Sequence, residues 1–124
     1  MMGESETILV VEDAAPLRAL IRELLERIAY TVLEAEDAER AHQIADHHQD
    51  IALLLTDLSL PKTSGLDMAK SLRKERPGLK VLYMSGYPNE AVQLGVQEGG
   101  ADFLQKPFTQ EALARKLRSL LDTA

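Results

Sequence analysis

Ile51-Ala52-Leu53-Leu54-Leu55-Thr56-Asp57 is the stretch that decides the reading of this chain. Six uncharged, mostly aliphatic residues run straight into a carboxylate, and Pro61 and Gly65 follow within the next eight positions. An apolar run of this length, bounded by turn residues, reads as a strand buried on both faces of a sheet. Its last residue then emerges at the carboxyl end of the strand, where open α/β sheets place their ligands. Asp57 is accordingly a candidate nucleophile or metal ligand. A carboxylate that only caps the following loop is the plainer alternative, and the other strand ends decide between them.

Outward from that strand the same pattern repeats. Thr7-Ile8-Leu9-Val10-Val11 is a β-branched run that ends in Glu12-Asp13. Asp13 is placed to N-cap a helix whose first turn holds Pro16. In that helix Leu17, Leu20, Ile21, Leu24 and Ile28 recur at helical spacing as a core stripe, with Arg18, Arg22, Glu23, Glu26 and Arg27 on the other face. Tyr30 to Ala35 is a less apolar strand, hence nearer an edge, and Asp37 caps a helix through Ala41, Ile44 and Ala45 that ends near His48. After Asp57 a loop from Leu58 to Ser64, closed by Gly65, leads into a helix from Leu66 to about Glu75, stopped by Pro77-Gly78. Leu79 to Met84 is a fourth strand ending at Ser85-Gly86. Pro88 to Glu98 is a poor helix, with Val92 and Val96 as its apolar pair and Gly95 interrupting it. Ala101 to Gln105 is a fifth strand ending at Lys106-Pro107, and the last helix carries Leu113, Leu117, Leu120 and Leu121 on one stripe. Five strands alternating with five helices over short connections predict a parallel α/β sheet with helices on both faces.

The 124 residues fit one domain, spanning the whole chain with its core over about residues 6–122. Hydrophobic content of 45% with few aromatics suits an aliphatic α/β core. A net charge of −6, from 14 basic and 20 acidic residues, argues against direct nucleic-acid binding, which wants a basic stripe. The chain has no cysteine, so disulfides and thiolate chemistry are excluded. No apolar run approaches the roughly 18 residues of a membrane span and no signal peptide opens the sequence, so a cytoplasmic protein without membrane insertion is the expectation.

Glu12, Asp13, Asp57, Ser85 and Lys106 all fall at strand ends, and adjacent strands would bring them to one rim. Two carboxylates about 4 Å apart repel by roughly 4 kcal/mol at an effective dielectric near 20, so a group of three calls for a bound cation. Oxygen donors without His or Cys point to Mg²⁺, which keeps waters and takes one or two carboxylates plus phosphate oxygens. A metal-loaded rim can accept a phosphoryl group, with Asp57 as nucleophile and Lys106 neutralising the developing charge.

Ile8-Leu9-Val10-Val11-Glu12-Asp13, Leu55-Thr56-Asp57 with Pro61 and Ser64-Gly65, Met84-Ser85-Gly86, and Lys106-Pro107-Phe108 stand in an order and spacing that is specific as a set. On these pieces the chain resembles the receiver domain of two-component response regulators over essentially its whole length. The resemblance implies a flavodoxin-like (βα)5 fold with strand order 2-1-3-4-5. It implies that Glu12 and Asp13 hold Mg²⁺ (Mn²⁺ being a substitute), that the Ser59 backbone carbonyl is a further ligand and that Asp57 is both ligand and phosphoacceptor. Ser85 would hydrogen-bond the phosphoryl group, Lys106 would ion-pair with it, and Lys106-Pro107 would be cis. Ser85 and Phe103 would be the switch, remodelling the face of the Pro88–Glu98 helix, the fifth strand and the last helix.

By the same resemblance the phosphodonor is a histidine kinase or histidine phosphotransfer domain, the output is a downstream protein target, and a phosphorylation-dependent homodimer is allowed. The domain would catalyse its own phosphorylation and slow hydrolysis without being an enzyme with a separate turnover substrate. It would be a single-domain regulator or a piece of a larger kinase. The opening Ile8–Asp13 and Tyr83-Met84-Ser85-Gly86-Tyr87 look most like receivers of hybrid histidine kinases. Three departures stand out: Phe103 where tyrosine is frequent, Tyr87-Pro88 restricting the start of the fourth helix, and Lys62 in the loop beside the phosphate site.

Rival readings fare less well. A mononucleotide binder needs a small-residue phosphate loop after the first strand, and Glu12-Asp13-Ala14-Ala15-Pro16 repels phosphate instead. A phosphatase resembling haloacid dehalogenases wants an acid two residues after the nucleophile, where Ser59 stands. A receiver-like docking module independent of phosphorylation is the main alternative. His42, His47 and His48 lack the spacing of a helical metal site and read as solvated.

Overall fold

The computed structural model describes residues 6–86 and 100–122. Its five strands, β1 (Thr7–Val11), β2 (Thr31–Ala35), β3 (Ile51–Asp57), β4 (Lys80–Ser85) and β5 (Ala101–Gln105), form one parallel sheet in the order β2-β1-β3-β4-β5. The four described helices are α1 (Ala15–Arg27), α2 (Ala38–His47), α3 (Gly65–Glu75) and α4 (Gln110–Leu121). The expected fourth helix over Pro88–Glu98, with Tyr87-Pro88 before it, lies outside the described residues.

The apolar strands explain the layering. Every residue of β1 is buried, as a strand covered on both faces must be. Alternate side chains feed separate cores. Leu9, Val11, Leu54, Val81 and Tyr83 pack with Ile44 of α2 and Met68 and Leu72 of α3. Ile8, Val10, Leu53, Leu55, Leu82 and Met84 pack with Ile21 and Leu25 of α1 and with Leu113, Leu117 and Leu120 of α4. The chain reverses direction of growth between β1 and β3, so the crevice at their carboxyl ends is the place for a site.

Capping residues set most helix starts. Asp37 accepts from Arg40 N, Ser64 from Asp67 N and Thr109 from Ala112 N, each at 2.8–3.0 Å. α1 departs from expectation: its N-cap is Ala14, with no side-chain cap, and not Asp13. The reason is local, because Glu12 Oε2 accepts the Ala14 amide at 3.1 Å and leaves Asp13 exposed. Leu20, expected in the core stripe, is 50% exposed, and Leu25 is buried in its stead.

The end of α1 also differs from expectation. Tyr30 is not the first residue of β2 but the end of a helix stop, in which Tyr30 N donates to Leu25 O and Ala29 N to Glu26 O. That pair of bonds is a Schellman motif, whose C′ residue must be left-handed; here it is Ala29 at φ 75°. A Cβ in that conformation costs energy that glycine avoids. Ala29→Gly is therefore expected to stabilise the fold by about 0.5 to 1 kcal/mol after glycine's extra unfolded-state entropy is subtracted, raising the melting temperature by roughly 2–4 °C in a calorimetric scan.

Candidate functional site

β1 and β3 are hydrogen-bonded neighbours, Val11 opposite Thr56, so Glu12 and Asp57 leave the sheet side by side. β4 and β5 complete the rim: Ser85 pairs with Gln105, and Lys106 N donates to Ser85 O at 2.8 Å. From that anchor the Lys106 side chain reaches back across the rim. Its Nζ lies 2.5 Å from Asp57 Oδ2 and 3.2 Å from Glu12 Oε1. The Lys106-Pro107 bond is cis. Glu12 and Ser85 are buried at 2% and 3% exposure and Asp57 at 9%, so these contacts form largely away from water.

Each carboxylate oxygen at the centre has a defined partner. Asp57 Oδ1 accepts the Ser59 amide at 3.0 Å, while Oδ2 faces Lys106. Glu12 Oε2 accepts the Ala14 amide and Oε1 faces Lys106. Asp13 stands exposed at the adjacent position. No described cluster of three His, Asp or Glu side chains is itself arranged to hold a metal. Oxygen-only donors with one acid free to solvent still suit Mg²⁺, which binds through one or two carboxylates and completes its shell with water and phosphate oxygens. Asp13, Asp57 and the Ser59 carbonyl are the groups that would hold it, with Glu12 at the edge.

Gly65 and Thr56 support the acceptor in ways their sequence positions alone do not disclose. Gly65 opens α3 and also closes the loop, its N donating to Leu58 O at 2.8 Å. A Cβ there would overlap the Asp57 carbonyl and approach Thr56 Oγ1 at 3.1 Å, so only glycine lets the helix come so close to the acceptor. Thr56 in turn donates to the Asp57 carbonyl at 3.0 Å, fixing the peptide that carries the acceptor. Ser59 and Ser64 bridge the base of the loop, and Lys62 sits at its crest with φ 72°, where Thr63 N donates to Pro61 O. Lys62 is exposed; the cation that reaches Asp57 is Lys106. Phe103 is partly buried and packs on the core that includes Tyr83, its neighbour across β4–β5. Beside the rim, Leu17, Leu20, Ile21, Leu24, Lys106, Pro107 and Phe108 line an apolar pocket of about 370 Å³.

The charges are interdependent. Burial is the strongest influence on Glu12 and lifts its carboxyl above the ordinary range, against the Ala14 amide and Lys106. Burial also opposes the charge on Lys106, but Asp57 and Glu12 outweigh it and hold the amine above its ordinary value. A raised lysine contributes stability that is fully present below pH 10.5, its unfolded value, and is lost as pH rises through the folded value. A raised Glu12 favours the fold when protonated, so its cost appears as pH rises through its own folded value, above 4.5. Lys106→Met should accordingly destabilise the domain by about 2 kcal/mol at neutral pH, since it leaves two acids without their cation. In urea titrations the gap to wild type should narrow towards acid, where Glu12 protonates, and again above the lysine range; a gap independent of pH would refute the assignment.

The comparisons with known proteins agree with this geometry. The family model for the response regulator receiver domain matches residues 8–118. The phosphate regulon transcriptional regulatory protein PhoB of Pseudomonas aeruginosa is 36% identical over 98% of this chain and 53% of its own length. The chain thus spans about half the length of that curated relative. Among solved structures, the receiver domain from the hybrid histidine kinase CckA is 33% identical with a TM-score of 0.80, over 94% of this chain and 99% of that one. The response regulator TrrA of Thermotoga maritima, in complex with Mg²⁺-BeF, is 29% identical with a TM-score of 0.83 over the same shares. A parallel sheet in the order 2-1-3-4-5, an acid at the end of its central strand and a lysine bridging it to the acid after β1 thus meet one family match, and the chain belongs to the response regulator receiver domains of two-component systems.

Proposed function

We propose that the chain takes a phosphoryl group onto Asp57 from a phosphohistidine of a histidine kinase or histidine phosphotransfer domain, in a reaction that needs Mg²⁺ or Mn²⁺, and relays the change to a protein target. The observation that carries this reading is the sharing of one lysine amine by Asp57 Oδ2 and Glu12 Oε1 at the carboxyl ends of two adjacent strands. A phosphoryl group entering there meets a fixed nucleophile and a cation already in place. Asp57 Oδ1 is tied to the Ser59 amide, which leaves Oδ2 to attack phosphorus. The new O–P bond forms as the P–N bond of the donor breaks, and its electron pair returns to the imidazole nitrogen. Lys106 moves from the carboxylate to the transferred oxygens, and the Ser85 hydroxyl donates to another. A divalent ion held by Asp13, Asp57 and the Ser59 carbonyl would supply further neutralisation of the charge that develops on the phosphoryl group. Water attacking phosphorus later releases phosphate and restores the carboxylate, so the domain acts as a self-resetting acceptor and not as an enzyme with a separate substrate.

The same reading gives the neighbouring pocket a use. It is apolar, lies against α1, and shares Lys106 with the acceptor rim. An apolar helix face of the phosphodonor seated on Leu20 and Phe108 would bring its histidine over Asp57. Readout would start at Ser85 on β4, next to the Asp57 strand, and Phe103 on β5, and pass to α4, which Asp102 and Lys116 join to β5 at 3.0 Å.

Two measurements test these parts separately. Incubation with Mg²⁺ and a small acyl-phosphate donor should add one phosphoryl mass to the wild type and none to Asp57→Asn. No mass gain in the wild type would instead favour a docking module independent of phosphorylation. Leu20→Glu should leave this small-donor reaction unchanged while slowing transfer from a phosphorylated histidine partner at least about tenfold, the order lost when an interface anchor is removed.

A further inference from the structure

The sequence places Arg18 on the polar side of α1, yet in the fold its side chain is only 19% exposed and holds two acidic residues at once. Its terminal nitrogen donates to the backbone carbonyl of Glu12 at 2.7 Å, and its Nε lies 3.2 Å from Glu34 Oε1. Glu34 is gripped a second time by Arg22, at 2.5 Å, and Arg22 is itself paired with Glu26. The arginine is thus clamped from the β2 side and delivers a fixed donor to the turn after β1.

That turn carries the acidic pair. The Glu12 amide donates to Ala35 O at 3.1 Å, its two carboxylate oxygens take Ala14 N and Lys106, and its carbonyl takes Arg18. The carbonyl belongs to the Glu12–Asp13 peptide, so pinning it fixes the plane from which the Asp13 side chain leaves. The peptides on either side are held through the Glu12 and Ala14 amides, and Arg18 supplies the side-chain donor to the carbonyl between them.

We propose that Arg18 is a positioning residue for the metal-binding acids, aiming Asp13 by locking the Glu12–Asp13 peptide and being aimed in turn by Glu34. This rests on the reading of Glu12 and Asp13 as the Mg²⁺ pair. Geometry and simple charge make opposite predictions. As a mere positive charge near an acidic site, Arg18 would weaken cation binding, and its removal would tighten it. As an anchor, its removal loosens a ligand and weakens binding, typically by 10-fold or more for a group that orients a metal ligand. Lysine keeps the charge but lacks the planar fork that serves Glu34 and the carbonyl together.

The test is Mg²⁺ affinity by titration calorimetry on wild type, Arg18→Ala and Arg18→Lys, alongside the rate of phosphorylation by a small acyl phosphate across Mg²⁺ concentrations. The expected result is binding weakened about 10-fold in Arg18→Ala and by less in Arg18→Lys, with the rate at saturating Mg²⁺ close to wild type in both. Tighter binding in Arg18→Ala with Arg18→Lys equal to wild type would show a charge effect and overturn the proposal. A lower melting temperature with unchanged affinity would show a structural role only and also overturn it. Should Arg18→Ala fail to fold, unchanged affinity in Arg18→Lys decides against it. Wild type that binds no Mg²⁺ would remove the proposed function itself, an outcome distinct from a wild type that binds and variants that match it.

Discussion

The contact of one amine with two carboxylates, Lys106 with Asp57 and Glu12, is the constraint to which the rest of the structure answers. Its members lie 49 and 94 residues from the lysine, so no local preference could assemble them. Two carboxylates this close, largely removed from water, would repel by several kcal/mol without the cation, at the dielectric of a protein edge. Fixing them beside the lysine requires three strand ends held in register. The sheet supplies this through the parallel ladders that join β1 to β3, β3 to β4 and β4 to β5, with the interiors of β1, β3 and β4 buried between helix layers.

The topology then decides what faces outward. With β1 and β3 adjacent at the point where the winding reverses, the turns after them diverge to opposite faces and open a crevice between them. α1 leaves β1 on one side and α3 follows β3 on the other, and Gly65 allows α3 to begin against the Asp57 carbonyl. No buried side-chain polar atom among the described residues is left without a partner. An acidic rim whose buried groups are all satisfied avoids the cost of orphaned polar atoms in a low-dielectric setting.

Most of the scaffold was legible in the sequence because it is written in local chemistry. The apolar runs of β1 and β3 carry their own bounds, Gly100 and Lys106-Pro107 frame β5, Asp37 announces the start of α2, and Glu12, Asp57 and Lys106, which follow or end these strands, do meet at one rim. What stayed hidden depended on partners from elsewhere in the chain. Asp13 has the right chemistry for a cap, but Glu12 takes the amide at the start of α1 first. Leu20 keeps helical spacing with Leu17 and Leu24 yet lies on the flank of α1, where the sheet ends and a pocket begins. Gly65 reads as a turn residue until Asp57 is seen pressed against it, and Arg18 reads as a solvated arginine until Glu34 is brought alongside by β2. Tyr30 has the composition of a strand, but the backbone bonds that stop α1 claim it first.

The acidic pair shows how two neighbouring residues of like charge come to serve different ends. Glu12 is the longer side chain and folds back on its own turn, where its oxygens are taken by Ala14 and Lys106. Burial raises its affinity for a proton, so it is the weaker candidate for direct contact with a hard cation. Asp13 is shorter and exposed, free to offer its oxygens outward. A hard divalent ion that prefers few carboxylates and many waters would take Asp13 and Asp57 directly and leave Glu12 to act through solvent and through the lysine. The order glutamate then aspartate after β1 would thus separate the residue that steadies Lys106 from the one offered to an ion.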